Sequence, residues 1–174
     1  LTIHSIPKEE PRVNHNKLVV IGTSTGGPKA LQTVIAGLPG NLPCGVLVVQ
    51  HMPPGFTKSL AERLDEISQI SVKEAGNRDI IERGHVYIAP GNYHMTVALG
   101  AKGREIILNQ DPPIGTLRPA ADVLFNSVAS LGKDIVSVIL TGMGADGAAG
   151  MKAIKGHGGY VIAEAEETCV FYGM

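Results

Sequence analysis

Short, continuously apolar segments separated by helical stretches constrain the fold of this chain more than any other feature. Three of them stand out: KLVVIG at 17–22, GVLVVQ at 45–50 and VSVIL at 136–140. Their apolar residues are consecutive rather than alternating, which indicates strands covered on both faces. Helices are predicted over Pro28–Leu38, Thr57–Ser68, Pro119–Leu131 and Ala145–Lys155. The pattern predicts an α/β fold with a doubly wound, mostly parallel sheet, helices on both faces and right-handed crossovers.

Shorter segments complete the predicted architecture. Val86–Ala89 and Tyr160–Ala163 are expected to be further strands, and Met95–Leu99 and Glu105–Leu108 an antiparallel hairpin across Gly100–Gly103. With 174 residues the chain suits one domain, which we place at residues 17–174. Residues 1–16 mix Pro, Lys, Glu, Arg and Asn without periodicity, so we expect them to be the remnant of a linker from a longer protein.

Composition excludes several classes of function. The 15 Lys and Arg balance 16 Asp and Glu, and aromatic content is only 4%, so a nucleic-acid partner is not expected. No apolar run approaches the roughly 20 residues of a membrane span, and no signal peptide is evident. Cys44 and Cys169 are expected to be small buried hydrophobes in a reducing cytoplasm. Metal-ligand spacings such as HExxH are absent from the sequence, and we expect no metal and no cofactor.

Chemistry is expected at the carboxyl ends of the strands, where ligands bind in open α/β sheets. The first strand runs into Gly22-Thr23-Ser24-Thr25-Gly26, which fits G-x-S-x-G between a strand and a helix. Such a turn exposes a nucleophilic serine beside the unpaired N–H groups of a helix start. The alternative is a glycine-rich turn in which Ser24 or Thr25 caps the helix. A P-loop is excluded because Pro28 occupies the lysine position.

The second strand ends at His51, in QHMPPGFT. A lone histidine is more often structural than catalytic, but this one lies at the same sheet edge as Ser24. His51 is therefore our candidate general base. His85 and His94, which flank VYIAPGNY, are the only serious substitutes.

The third strand ends in TGMGADG, which contains Asp146. A carboxylate here could orient a histidine, or it could cap the following helix. The same loop also fits a dinucleotide fingerprint, because Gly142, Gly144 and Gly147 spell G-x-G-x-x-G and Glu164 follows about 20 residues on. Against that alternative, Asp146 would stand beside the pyrophosphate, where two like charges near 4 Å repel by about 4 kcal/mol at an effective dielectric of about 20.

Together the three loops predict Ser24, His51 and Asp146 at one edge of one sheet, as in a serine hydrolase. Their order in the chain matches no familiar triad, but triads are defined by geometry and roles. A binding module without chemistry remains the non-enzymatic alternative.

The loops, taken together, resemble the bacterial chemotaxis protein-glutamate methylesterase family. The resemblance covers nearly everything from Lys17 to Met174. It is carried by VVIGTSTGGP at 19–28, QHMPPGFTKSLAERL at 50–64, VYIAPGNYHM at 86–95, LRPAADVLFNSVA at 117–129 and ILTGMGADGAAGM at 139–151. It implies the triad named above, with oxyanion-binding N–H groups from around Thr25 and Met143.

The resemblance also implies a substrate and partners. These are glutamyl methyl esters on the cytoplasmic helical domain of methyl-accepting chemoreceptors, with deamidation of receptor glutamine through the same chemistry, and an N-terminal receiver domain in the full-length protein. Arg118 could contact the acidic receptor surface or form a salt bridge at the start of the following helix. At Thr23 we expect alanine in many relatives and expect threonine to be neutral.

Overall fold

A computed structural model describes residues 17–174, so the predicted linker at 1–16 lies outside the described residues. The main sheet has six strands, all paired in parallel, in the order β3-β4-β2-β1-β7-β8. Its strands are β1 (Leu18–Thr23), β2 (Gly45–Gln50), β3 (Ser71–Glu74), β4 (His85–Ile88), β7 (Ile135–Ile139) and β8 (Tyr160–Ala163). The helices are α1 (Gly27–Ala36), α2 (Phe56–Ile67), α3 (Ala121–Val128) and α4 (Ala148–Gly156), with a 3₁₀ segment at Ala129–Asp134.

Two hydrophobic cores lie on opposite faces of this sheet, which confirms the predicted doubly wound α/β fold. On one face α1 and α2 bury Leu31 and Leu64 against the strands. On the other, α3 and α4 bury Phe125 and Ile154. All six residues of β2 are buried, as a continuously apolar central strand requires.

The predicted hairpin is also confirmed. β5 (His94–Gly100) and β6 (Gly103–Asn109) form a separate two-stranded antiparallel sheet joined at Gly100–Gly103. It packs on the α3 side of the molecule, where the Val97 N–H donates to Ser127 Oγ at 3.2 Å.

Most element boundaries lie within two residues of the sequence prediction, and three elements differ from it by more. β3 was not predicted, because this edge strand buries one apolar side chain, Val72. α3 ends at Val128 instead of Leu131, where a 3₁₀ segment takes over with Gly132 at φ 55°. α4 begins at Ala148, three residues later than predicted, because Gly147 adopts φ 98° at its N-cap.

The two cysteines differ in their surroundings. Cys44 is buried immediately before β2, as predicted, and burial raises the pKa of its thiol. The prediction is wrong for Cys169, which is partly exposed and follows a turn after β8. Within residues 17–174, no helix has the length and apolar character to cross a bilayer.

Candidate active site

The carboxyl ends of β1, β2 and β7 lie side by side because β1 is paired with the other two strands. Backbone hydrogen bonds continue this pairing into the loops. The His51 N–H donates to the Thr23 carbonyl at 3.1 Å, and the Ser24 N–H donates to the Thr141 carbonyl at 3.0 Å. The loop that carries Ser24 is therefore held between the loops that carry His51 and Asp146.

His51 and Asp146 are joined directly. His51 Nε2 lies 2.7 Å from Asp146 Oδ2, and the two side chains are only 8% and 6% exposed. Because Nε2 faces the carboxylate, it carries the hydrogen in the neutral ring, and Nδ1 is the nitrogen left to accept a proton. The carboxylate thus fixes both the tautomer and the orientation of the ring.

Asp146, which lies just before α4, also binds the start of α3. Its carboxylate accepts the N–H groups of Ala121 at 2.6 Å and Asp122 at 2.9 Å, the first two residues of α3. Burial raises the pKa of the carboxyl, but the hydrogen bonds from His51, Asp122 and Ala121 outweigh it, so the pKa lies below its usual value. The group is held as an anion, which is the form that can stabilise a protonated histidine.

Ser24 stands at the turn between β1 and α1. Gly26 has φ 85°, and the Gly27 N–H donates to the Ser24 carbonyl at 2.8 Å, so the chain bends sharply here. Gly26 is the N-cap of α1 and no side chain caps the helix, so neither Ser24 nor Thr25 is a capping residue. Ser24 Oγ makes no hydrogen bond to any of residues 17–174, which leaves the hydroxyl free to reorient.

Two backbone N–H groups flank this serine without a partner. Neither the Thr25 nor the Met143 N–H donates a hydrogen bond within the described part of the chain. A Cβ on Gly142 would lie 2.7 Å from the Ser24 Cβ, so only glycine lets the loop of Met143 come this close. Free donors beside a nucleophile are the arrangement that binds an oxyanion.

The other histidine candidates lie elsewhere. His85 is the first residue of β4, so it lies at the amino ends of the parallel strands, opposite the site, and its Nδ1 lies 3.0 Å from the Arg83 carbonyl. His94 is 1% exposed, with Nε2 3.2 Å from the Pro112 carbonyl and Nδ1 accepting the Ala120 N–H. Neither ring is hydrogen-bonded to Ser24 or Asp146 in the described residues.

Arg118 is held by hydrogen bonds within the chain. Its Nε and Nη2 donate to Asn92 Oδ1, and its Nη1 donates to the carbonyls of Gln110 and Asp111. The guanidinium therefore ties two loops together. Among residues 17–174 it forms no salt bridge at the start of α3, so that alternative is wrong, and contact with a receptor surface stays a prediction.

The features needed for a dinucleotide site are engaged in other contacts. Glu164 Oε2 accepts the Thr141 N–H at 2.7 Å, so this carboxylate is turned toward the loop. Gly142 is covered by residues 171–174, since its N–H donates to the Phe171 carbonyl and a Cβ there would collide with Met174 Sδ. Among residues 17–174, no cluster of three or more His, Cys, Asp or Glu side chains could hold a metal ion.

Comparison with known proteins identifies the family. The chain matches the family described as CheB methylesterase over residues 19–174. The chain belongs to the CheB methylesterase family. The crystal structure of the Thermotoga maritima CheB methylesterase catalytic domain is similar in fold, with a TM-score of 0.88, 48% identity, and coverage of 91% of this chain and 84% of that one.

Curated members of the family are similarly close. A protein-glutamate methylesterase/protein-glutamine glutaminase of Symbiobacterium thermophilum is 58% identical over 91% of this chain and 43% of its own length. One of Salmonella typhi is 49% identical over 96% of this chain and 48% of its own length. The chain spans about half the length of the curated relatives it matches.

Sequence reasoning missed two buried polar residues in this CheB methylesterase chain. Thr23, expected to be neutral, is fully buried and donates from Oγ1 to the Thr141 carbonyl at 3.1 Å, joining the serine and aspartate loops. Gln50 is 2% exposed and binds main-chain groups on either side of the site. The sequence did contain a signal for both residues. Each is a polar side chain at the last position of an otherwise apolar strand, at the carboxyl end where the site lies.

Proposed function

We propose that the chain is the catalytic domain of a protein-glutamate methylesterase, a serine hydrolase that cleaves γ-glutamyl methyl esters on chemoreceptors. The observation that carries this proposal is the 2.7 Å contact between His51 and Asp146, whose loops lie on either side of Ser24. The names of the relatives add the substrate class, glutamate methyl esters and glutamine side chains of proteins.

In the proposed reaction, Ser24 Oγ attacks the ester carbonyl while His51 Nδ1 accepts its proton. The oxygen of the tetrahedral intermediate is bound by the N–H groups of Thr25 and Met143, each worth about 3 kcal/mol. The intermediate collapses, the C–O bond to the methoxy group breaks, and His51 returns the proton to the departing methanol. A glutamyl ester of Ser24 remains.

Water completes the cycle. His51 removes a proton from the water, the hydroxide adds to the acyl carbonyl, and the second collapse restores the Ser24 hydroxyl and releases a glutamate side chain. Asp146 stays ionised and stabilises the imidazolium formed in both halves, which agrees with its lowered pKa. Glutamine deamidation follows the same path, except that His51 protonates a leaving nitrogen and ammonia is released.

The biological setting is part of the same proposal. The partner is the cytoplasmic helical domain of methyl-accepting chemoreceptors, so the enzyme would act in the cytoplasm during adaptation. Residues 1–16 would connect this domain to an N-terminal receiver domain in the full-length protein. The chemistry needs no metal or other cofactor, because the nucleophile, base and oxyanion donors are all groups of the chain.

The histidine assignment gives the experiment that tests this proposal. We expect His51→Gln to lower kcat for methanol release from a methylated receptor fragment by at least ~10³-fold, because no other group accepts the serine proton. His85→Gln is the matched control and is expected to leave kcat within about twofold, since His85 lies at the amino ends of the strands and the site lies at their carboxyl ends. His94→Gln, measured in parallel, is expected to fall between the two. Equal losses in the His51 and His85 variants would contradict the assignment.

A further inference from the structure

Gln50 connects the main chains on both sides of the candidate site. It is the last residue of β2 and is 2% exposed. Its Nε2 donates to the Ser24 carbonyl at 2.9 Å and to the His51 carbonyl at 3.1 Å. We propose that Gln50 is a positioning residue whose amide fixes the separation of the nucleophile, Ser24, and the base, His51. This inference rests on the proposed function.

The orientation of this amide is determined by its partners. Both acceptors are carbonyl oxygens, so the amide nitrogen must face them, and the opposite orientation would place oxygen against oxygen. In the orientation adopted, Gln50 Oε1 is buried without a hydrogen-bond partner. A buried acceptor without a partner opposes folding. The unpaired acceptor offsets part of the stability that the two donated hydrogen bonds contribute, and the feature specific to glutamine here is a double donor between the two loops.

Gly27 provides the space that this side chain occupies. A Cβ on Gly27, the first residue of α1, would overlap Gln50 Oε1 and crowd Thr23 Oγ1. Gly27 is not among the glycines with positive φ, so its lack of a side chain serves packing rather than backbone conformation. The amide is thus held rigidly between β1, β2 and the start of α1.

We call the two hydrogen bonds from Gln50 Nε2 to the Ser24 and His51 carbonyls the Gln50 clamp. Such a clamp acts on the rate of the chemical step. Gln50 is buried beneath the loops, so it affects substrate only through Ser24 and His51. Misplacement of reacting groups by about 1 Å can cost ~100-fold in rate. Loss of the clamp should therefore appear in kcat, with KM unchanged.

The test compares Gln50→Met and Gln50→Asn with the wild-type domain. Methionine preserves the volume and removes both donors, whereas asparagine keeps the amide on a side chain one methylene shorter. We expect both to lower kcat for methanol release by ~10-fold or more, to leave KM within about twofold, and to slow labelling of Ser24 by a fluorophosphonate to a similar extent. Ser137→Ala is the control, because it removes a different buried hydrogen bond, from Ser137 Oγ to the Tyr160 carbonyl. It should lower the thermal unfolding temperature without changing kcat.

Each outcome decides the proposal. Wild-type kcat per folded molecule in either Gln50 variant would overturn the clamp and leave the proposed function standing. If Gln50→Met does not fold, the asparagine variant carries the test. If the wild-type domain releases no methanol, the proposed function fails, and the labelling rates still decide whether Gln50 positions Ser24. If wild-type Ser24 is not labelled at all, both are overturned.

Discussion

Ser24→Ala is expected to reduce methanol release from methylated receptor by at least ~10⁴-fold, with the folded structure intact. The covalent route needs Oγ, and oxyanion binding by the Thr25 and Met143 N–H groups leaves only a small residual rate. Stability should barely change, because Ser24 Oγ makes no hydrogen bond to residues 17–174. Single-turnover methanol assays and thermal unfolding curves of the same samples measure both quantities.

The matched control for this variant is Ser59→Ala, which makes the same change at an exposed position on α2. It should retain wild-type kcat. A Ser24→Ala enzyme that kept more than about 1% of wild-type kcat, after contamination with wild-type protein had been excluded, would remove Ser24 from the mechanism.

Asp146→Asn is expected to lower kcat by about 10²- to 10⁴-fold, with a smaller effect on KM. The asparagine has one acceptor oxygen for the three donors that the carboxylate now binds, from His51, Ala121 and Asp122. If the amide nitrogen faces His51, the ring takes the wrong tautomer. If the oxygen faces His51, the tautomer survives but the imidazolium loses its counter-charge. Steady-state kinetics on purified receptor fragment measure the loss.

Acid pH provides an independent check on the role of Asp146. Since its folded-state pKa lies below the unfolded value, its contribution to stability is complete above the unfolded pKa and is lost as pH falls through the folded pKa. The difference in free energy of unfolding between wild type and Asp146→Asn should therefore narrow below about pH 4. A difference that stays constant down to about pH 2, or wild-type kcat in the variant, would contradict this account.

The central fold could be predicted because its strands are encoded locally. In β1, β2 and β7, apolar residues at consecutive positions leave few alternatives to a covered parallel sheet. β3 could not be found in this way, since only Val72 of its sequence SVKE is buried and the strand is defined by its pairing with β4. The late start of α4 depends on the positive φ of Gly147, which the helical pattern does not report.

The candidate site was predictable to the level of which loops carry it. Polar residues after buried strands pointed to Ser24, His51 and Asp146, and parallel pairing places such loops at one edge. The partners of those residues were not predictable, because they come from elements distant in sequence. Nothing in the sequence around Asp146 indicates that its carboxylate accepts two N–H groups of α3. The salt-bridge alternative for Arg118 was wrong for the same reason, since its partners Asn92, Gln110 and Asp111 meet it only in the folded chain.

The central claim is that Ser24, His51 and Asp146 act together to activate the serine. The most direct test is to map fluorophosphonate adducts by mass spectrometry in the wild-type domain and in His51→Gln. The account predicts a single adduct on Ser24 in the wild type and labelling at least ~100-fold slower in the variant, because the ring that accepts the serine proton is missing. An adduct on a different residue, or equal labelling rates in the two proteins, would contradict it.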